Sequence, residues 1–559
     1  MARSTRRRRG WLPGYDRGDL SADAAAGLTI AVMLVPQGMA YAMLAGLPPV
    51  IGLYASVIPL AVYAFLGSSR HLAVGPVAMA SLLTLSACSR LAPPGSPEYV
   101  RLVLLLALMV GVLQLAAGLL RFGFLINFFS HAVIGGFTAA AALVIALSQV
   151  RHLMGVEGGG GHSVFELLEQ IVRGAGDIHA PTLVLGLASI AGMVVLRKMY
   201  PRLPSAILFV IAGSLLTWTW GELGIRTVGE VPRGLPPLSL PSFNPLAIQE
   251  LFLDALAIVF VSFMESISVA KYMAAKSGYK VDPNRELIGL GAANMAAAFS
   301  SGYPVTGGFS RTAVNHQSGA RTQVASLVTA ALILLTLIFL TPLFYHLPNA
   351  VLAAVIIVAV VGLIDARDAI RLFRIKKSDG AILLITFACT LGVGLDRGLL
   401  IGMVFSLGLF IWRSSHPHTA ELGYLESEGV FRNVLRYPEV KRHPEVLILR
   451  PDASLFFANM KFLEDRLAGD LSGRPGVKLI LLDLSGVNDI DAVSIDELEE
   501  LMEAYAHQGI RFAFAGMKGP VRDLVEHAGW GEKYGETYRY LSIPHALAAL
   551  GYPAAPPRS

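Results

Sequence analysis

The sequence predicts an α-helical membrane protein with many spans, followed by a small soluble α/β domain. Of the 559 residues, 54% are hydrophobic and only 15% are charged, and the mean hydropathy is +0.59. Apolar stretches that match the roughly 20 residues needed to cross a bilayer core recur from Ala22 to Trp412. From Pro417 onward the sequence is charged and alternating. This composition excludes an ordinary soluble protein.

About fourteen apolar segments are predicted, and several of them are too short to span a bilayer unaided. Their approximate limits are 21–45, 48–66, 73–89, 100–121, 124–150, 180–198, 203–220, 250–273, 286–299, 306–315, 321–342, 350–364, 378–395 and 397–412. The domain limits that follow are 1–20 for a basic N-terminus, 21–413 for the membrane domain, 414–444 for a linker and the start of the soluble region, and 445–553 for the soluble domain.

Lys and Arg residues concentrate in the loops on one side of this arrangement. They occur in the leading cluster at 3–9 and in the loops around 197–202, 271–285 and 367–377. Under the positive-inside rule these loops are cytoplasmic, and an even number of crossings puts both termini there. We therefore expect a multi-pass protein of the inner (plasma) membrane, whose net charge of +5 reflects topology and contact with the lipid bilayer rather than nucleic-acid binding.

Two of the apolar segments are broken by Gly and Pro, one in each half of the membrane domain. They read AVGPVAMAS at 73–81 and SGYPVTGGFSRTAVN at 301–315. Short, interrupted segments at corresponding positions of two halves are typical of a transporter's substrate site. The free backbone N–H groups at a half-helix start carry roughly half a positive charge, so two such starts facing one another would attract an anion. The pattern predicts an anion transporter.

Other chemistries find no support in the sequence. Cys88 and Cys389 lie inside predicted spans and are expected to be packing residues, and the histidines show no metal-ligand spacing. The glycine-rich stretch at 156–163 lacks the context of a phosphate-binding loop. We therefore expect no metal, no cofactor and no enzymatic activity.

Several motifs, in this order, resemble the sulfate permease (SulP) family of anion transporters over nearly the whole chain. They are VPQGMAYAMLAGLPPVIGLYAS at 35–56, AVGPVAMAS at 73–81, SGYPVTGGFSRTAVNHQSGARTQ at 301–323, and a C-terminal domain similar to STAS domains. The resemblance implies two seven-segment repeats of inverted topology, with segments 1–4 and 8–11 forming a core and segments 5–7 and 12–14 forming a gate. It also implies transport by alternating access, with the third and tenth segments as half-helices that meet at mid-membrane.

The resemblance implies a substrate site that is built from the first, third and tenth segments. Carried over by motif, its residues are Gln37, Tyr41, Val77, Ala78, Phe309, Ser310 and Arg311. Gln37 and Tyr41 are four residues apart and share one helix face. An alternative role for Gln37 is an interhelical hydrogen bond. A charge at the helix centre costs about 2.5 to 3.5 kcal/mol on insertion scales, so Arg311 needs either an anion or a fixed ion pair with Glu265.

Glu265, in the eighth segment, is the expected proton-coupling residue, because the chain resembles plant sulfate transporters that use a glutamate there. Sodium-coupled bicarbonate transporters of similar sequence have an aspartate and, one turn later, a threonine, where this chain has Val269. Ser266, Ser268 and Thr306 could replace that hydroxyl only in part. The leading function is proton-coupled sulfate uptake. The alternatives are a bicarbonate or dicarboxylate transporter, either sodium-coupled or an exchanger, a passive anion channel, and a membrane sensor.

The soluble domain is expected to contain an open sheet with helices. Strands are predicted at 446–451, 454–459, 478–486 and 511–516, and helices at 491–507 and 520–529. The sequence from Leu481 to Leu501 resembles the STAS signature, which implies regulation and homodimerisation. Ala492 occupies the position of the phosphorylated serine of STAS antagonists, so switching there is not expected, and Asp491 is expected to be a helix N-cap.

Overall fold

The computed structural model describes residues 15–124, 131–156, 164–200, 205–362 and 364–553. The basic cluster at the N-terminus and nearly all of the glycine-rich stretch fall outside these ranges. The chain divides into two compact units, Met1–Ser406 and Leu407–Ser559.

The first unit is helical apart from two very short strands. Its helices are α1 (Arg17–Leu44), α2 (Pro49–Tyr54), α3 (Ile58–Leu66), α4 (Ala78–Cys88), α5 (Pro97–Leu119), α6 (His131–Met154), α7 (Val164–Arg173), α8 (Ala180–Met199), α9 (Ser205–Thr219), α10 (Pro245–Lys276), α11 (Pro283–Phe299), α12 (Phe309–Gln317), α13 (Val324–Leu335), α14 (Asn349–Val361), α15 (Ala366–Ile375) and α16 (Lys377–Val393), and its strands are β1 (Val74–Gly75) and β2 (Thr306–Gly307). A further helix, α17 (Leu395–Ser415), begins in the first unit and ends in the second. Nine helical stretches within the described residues are long and apolar enough to cross a membrane.

Every predicted apolar segment overlaps at least one of these helices, and the segment 48–66 contains two, α2 and α3. Parts of the segments 124–150, 203–220 and 350–364 lie outside the described residues. Two further helices lie where only loops were expected. They are α7 and α15, which each carry charged residues on one side and apolar residues on the other. A search for uniformly apolar stretches passes over such helices, because their charges lower the average hydropathy. Both have the character of helices that lie along a membrane surface.

Helix packing sorts the first unit into two groups. In one group, α1 packs against α2 and α13, while α11 packs against α3 and α5. In the other, α6 packs against α14 and α16, and α8 packs against α9 and α14. A Cβ on Gly52 would lie 1.9 Å from the carbonyl oxygen of Gly38, so α1 and α2 cross with their backbones in contact.

Two buried carboxylates hold the connections that lead into and out of the broken segments. Glu286, at the start of α11, accepts hydrogen bonds from the Tyr63 hydroxyl at 2.7 Å and from the backbone of Ser68 and Ser69, just before β1. Asp23, on α1, accepts hydrogen bonds from the backbone of Arg321 and Thr322, which follow α12. The ends of both broken segments are therefore tied to the long helices around them.

The second unit is a five-stranded sheet with helices. Its strands are β3 (Thr419–Leu425), β4 (Val430–Asn433), β5 (Val446–Pro451), β6 (Leu479–Asp483) and β7 (Arg511–Ala515), and its helices are α18 (Phe457–Ser472), α19 (Ala492–Ala506), α20 (Gly519–His527), α21 (Trp530–Tyr534) and α22 (Ile543–Ala549). The strand order is β4-β3-β5-β6-β7. Strands β5, β6 and β7 are parallel, whereas β3 is antiparallel to both of its neighbours.

The structure corrects one expectation for this unit. The strand predicted at 454–459 is wrong, because α18 begins at Phe457 and only Leu455 bridges to Ile490. Periodicity cannot distinguish a short apolar run in a strand from the start of a buried helix. The segment 414–444, expected to be a linker and the start of the soluble region, contains β3 and β4, and β3 pairs with β5.

Candidate functional site

The two broken segments meet in the first unit. Strands β1 and β2 pair in antiparallel register, with Val74 opposite Gly307 and Gly75 opposite Thr306. The N–H of Gly308 extends the pairing by donating to the carbonyl oxygen of Ala73 at 3.1 Å. Because each strand leads into a helix, α4 and α12 run in opposite directions and both begin near the strand pair.

Both helix starts lack a side-chain cap. The N-cap residues are Val77 for α4 and Gly308 for α12, and neither offers a side-chain acceptor to the first turn. The first N–H groups of an α-helix have no partner within the helix, so they remain available to a bound group. Two uncapped starts beside one strand pair make a region of positive potential.

Arg311, in the first turn of α12, connects the two helix starts. Its side chain is buried, and Nη1 donates to the carbonyl oxygen of Pro76 at 2.6 Å, two residues before α4. Among the described residues, Nε and Nη2 have no hydrogen-bond partner although both atoms are buried. Arg311 and Glu265 interact electrostatically, but no ion pair joins them among the described residues. A buried cation with unpaired N–H groups is unfavourable unless an anion binds it.

Two glycines make room for this guanidinium. A Cβ on Gly308 would lie 2.9 Å from Nη2 of Arg311 and 3.0 Å from Cζ, and a Cβ on Gly75 would lie 3.5 Å from Nη2. The guanidinium thus lies close to the backbone of both broken segments. Sequence reasoning recognised these glycines as helix breakers but missed their second role, which only the position of Arg311 reveals.

Several other side chains surround Arg311. Tyr41, Glu265 and Tyr303 are all near enough to interact with it electrostatically. Tyr303 is fully buried, lies 3.1 Å from the Ser81 hydroxyl, and was not predicted, although it belongs to the second broken motif. The Oε2 atom of Glu265 is buried and has no hydrogen-bond partner within the described residues.

The remaining expected site residues differ in exposure. Val77 and Ala78 are buried at the start of α4, whereas Phe309 is 52% exposed and Ser310 is also exposed at the start of α12. The region is therefore closed beside α4 and open beside α12. Gln37, one turn from Tyr41 on α1, is partly exposed and has no hydrogen bond to any described residue, so the interhelical bond that was its alternative role is not formed.

Hydroxyl groups near the eighth segment are engaged within the protein. The Ser266 and Thr306 hydroxyls lie 2.7 Å apart, the Gly307 N–H donates to Ser266 at 2.8 Å, and the Thr306 hydroxyl donates to the carbonyl oxygen of Ser262 at 2.7 Å. These bonds fasten β2 to α10. Such hydroxyls are poorly placed to replace the missing threonine of a sodium site.

Both parts of the chain match known protein families. Residues 20–386 match the sulfate permease family model, and residues 437–541 match the STAS domain model. A probable sulfate transporter of Mycobacterium tuberculosis is 35% identical over 97% of this chain and 98% of its own. The chloroplastic sulfate transporter 4.1 of Arabidopsis thaliana is 38% identical over 94% of this chain and 79% of its own.

Solved structures match as well. The murine anion transporter solute carrier 26 family member A9, in its inward-facing state, is 25% identical and superposes with a TM-score of 0.90, covering 97% of this chain and 93% of its own. The transmembrane domain of the cyanobacterial bicarbonate transporter BicA shares the fold, with 22% identity and a TM-score of 0.61 over 70% of this chain and 98% of its own. This multi-pass membrane protein with a STAS domain therefore belongs to the sulfate permease family of anion transporters.

Proposed function

We propose that the chain takes up sulfate together with protons, by alternating access, and that the anion binds between the starts of α4 and α12. The observation that carries this proposal is the buried guanidinium of Arg311, whose Nε and Nη2 have no partner among the described residues. Two helix starts and one guanidinium amount to about two positive charges, which suits a dianion. The names of the relatives, which are sulfate transporters, support the same substrate.

Glu265 is the proposed proton carrier. It lies on α10, it is coupled electrostatically to Arg311, and its Oε2 atom has no hydrogen-bond partner in the described part of the chain. At an effective dielectric of about 20, the negative charge of Glu265 at about 8 Å from a bound anion would repel it by about 2 kcal/mol. That repulsion would weaken the affinity for the anion roughly thirtyfold. Protonation of Glu265 would remove it, so proton and sulfate would bind together.

The exposure pattern supports alternating access. The open side at Phe309 and Ser310 adjoins Tyr272, whose ring lies 6.5 Å from that of Phe309 near the end of α10 that we assign to the cytoplasm. The likeness to an inward-facing transporter points the same way.

In this scheme both termini are cytoplasmic in the inner (plasma) membrane. The chain functions as a homodimer, and its STAS domain, proposed at 445–553, regulates transport.

The test is uptake of labelled sulfate into proteoliposomes with an imposed pH gradient. Wild type should respond to the gradient, whereas Glu265→Gln should bind sulfate without responding to it. Glu250→Gln, which neutralises an exposed glutamate on the same helix, is the matched control and should behave as wild type. An unchanged gradient response in Glu265→Gln would remove the proton claim.

Bicarbonate transport is the alternative to test, because a bicarbonate transporter shares this fold. Sulfate, bicarbonate, fumarate, chloride and nitrate should be compared as competitors of labelled uptake, with and without a sodium gradient. We expect sulfate to compete best and sodium to have no effect, because the hydroxyls of Ser266 and Thr306 already bond within the protein. Non-saturating flux in the same assay would indicate a passive channel instead.

A further inference from the structure

A second charged cavity lies in the soluble unit. It has a volume of about 300 Å³ and is bordered by the β3–β4 hairpin, the turn after β4 and the end of β5. Its wall includes Arg432, Arg436 and Arg450 together with His418 and one carboxylate, that of Asp452. Three arginines facing one carboxylate leave the wall with a clear excess of positive charge.

The fold holds part of this wall in place. Asp452 directly follows β5, and its N–H donates to the carbonyl oxygen of His418 at 2.9 Å, just before β3. Its carboxylate accepts from Nε of Arg450 at 2.6 Å and lies 2.7 Å from Nδ1 of His418. Burial raises the pKa of Asp452, but the hydrogen bonds from Arg450 and His418, together with the electrostatic interactions with these two residues, outweigh burial, so the net pKa is below its usual value. The carboxylate stays ionised and orients both side chains.

The other two arginines, Arg432 and Arg436, differ in whether they already have a partner within the described residues. Arg432 pairs with Glu428 at 3.3 Å, and its guanidinium lies 5.9 Å from the centre of the Tyr437 ring. Arg436 is exposed and has no acidic partner among the described residues. The turn that carries it is closed by its N–H, which donates to the carbonyl oxygen of Asn433 at 3.1 Å. The cavity thus presents a guanidinium on a turn closed by a hydrogen bond, and no counter-ion for it lies among the described residues.

These features indicate the chemistry of the ligand. The planar guanidinium group binds phosphate oxygens in a bidentate manner, and a phosphate monoester carries about 1.5 to 2 negative charges at neutral pH. The cavity equals about ten times the volume that one water molecule occupies in the liquid, which is more than a bare oxyanion needs. An ester of phosphate fits both the charge and the volume.

The chain also places the cavity near a bilayer surface. At the end of α17, Phe410, Ile411 and Trp412 are more than half exposed, as expected of a helix in contact with lipid. His418 follows Ser415 by three residues, which span at most about 10 Å. We propose that the cavity binds a phosphate monoester, carried either by a lipid of the leaflet where α17 ends or by a soluble molecule.

The test uses the full-length protein in nanodiscs and measures protection of arginines from phenylglyoxal by mass spectrometry. Neutral nanodiscs are compared with nanodiscs that contain phosphatidic acid, a monoester, or phosphatidylglycerol, a diester. Glycerol 3-phosphate and sulfate are titrated separately into neutral nanodiscs. We expect phosphatidic acid or glycerol 3-phosphate to protect Arg436 and Arg450, and the effective one of the two identifies the source. The exposed Arg511 should react equally in all samples.

A pair of variants makes the result specific to the cavity. Arg436→Gln removes an exposed side chain with no partner that folding requires, and it should weaken the protective ligand about tenfold or more. Arg511→Gln changes the net charge of the domain equally and should have no effect. The proposal is overturned if neither monoester protects, if phosphatidylglycerol or sulfate protects as well as the monoester, or if the two variants behave alike.

Discussion

At the scale of single residues, the proposed membrane site depends most on Arg311. The sequence predicted a charge there and left two roles open, a ligand for an anion or a partner for Glu265. Only the folded chain shows that the guanidinium bonds the carbonyl oxygen of Pro76, which is 235 residues distant in sequence. Tyr303 was not predicted for a similar reason, because its contact with the Ser81 hydroxyl joins residues that are 222 positions apart in sequence.

Replacing Arg311 should reveal its contribution to substrate affinity. Arg311→Gln removes the positive charge, and since a hydrogen bond to a charged group contributes about 1.5 to 3 kcal/mol, the KM for sulfate should rise at least about tenfold. Arg311→Lys keeps the charge without the planar fork and should show an intermediate loss. Concentration-dependent uptake measures both, with the exposed Arg173→Gln as a control. A wild-type KM in Arg311→Gln would contradict the proposed site.

Asp491 offers a second prediction at this scale. It was expected to cap one helix, and that is confirmed by its bond from the Ser494 N–H at 2.8 Å, but it also accepts from the N–H of Phe457 at the start of α18. Burial raises its pKa, whereas the hydrogen bonds from Ser494 and Phe457 lower it, and the net pKa is below its ordinary value. The charged form is therefore favoured by folding.

The consequence is a loss of stability in acid. For a carboxyl group with a depressed pKa, the stabilisation is fully present above the unfolded pKa of about 3.9 and is lost as the pH falls through the lower folded value. Asp491→Ala should destabilise the starts of α18 and α19 by about 0.5 to 2 kcal/mol at neutral pH. The difference in stability between Asp491→Ala and wild type should become smaller as the pH falls. Hydrogen exchange of the two helices checks this, with the exposed Asp496→Ala as a control.

At the scale of elements, prediction succeeded where one physical signal dominates. Long apolar runs identified the membrane helices, and the Gly and Pro residues identified the two interrupted segments and the helices α4 and α12 that begin in them. Prediction failed for α7, α15 and α18, where apolar and charged residues mix within a few turns. The pairing of β1 with β2 was also invisible to hydropathy, since two residues per strand give no periodic signal.

The start of α12 can be tested through Gly308. Gly308→Ala would place a methyl group 2.9 Å from Nη2 of Arg311, which must shift the guanidinium, while the φ of −86° at this position is acceptable to alanine. We expect a raised KM for sulfate with normal folding. Gly75→Ala is the matched control, because its methyl group would meet the same atom at an ordinary 3.5 Å. Equal effects of the two variants in the uptake assay would argue against this steric account.

At the scale of the whole molecule, the division into core and gate came from family resemblance and not from hydropathy. Apolar runs predict which segments form helices but not which helices pack together. Contacts such as that of Gly38 with Gly52 are seen only in the folded chain. The orientation in the bilayer rests on the loop charges alone and stays a prediction.

Cysteine labelling tests that orientation. Leu238 lies in the α9–α10 connection and is 87% exposed, and Leu435 lies in the soluble unit and is 82% exposed. In a background with Cys389 replaced by serine, a membrane-impermeant maleimide should label Leu238→Cys on intact right-side-out vesicles. Leu435→Cys should be labelled only after permeabilisation. Cys88 is buried and should stay unlabelled in both states. The reverse pattern would invert the proposed topology.

The antiparallel ladder between β1 and β2 has a consequence for energetics. Because hydrogen bonds join the two breaks, and Arg311 bridges from one to Pro76 in the other, neither break can shift without its counterpart. An anion bound there would keep the same protein ligands during the transport movement. Its dissociation constant should therefore be the same whichever compartment the site faces. Net direction would then follow from the concentrations and the proton gradient alone.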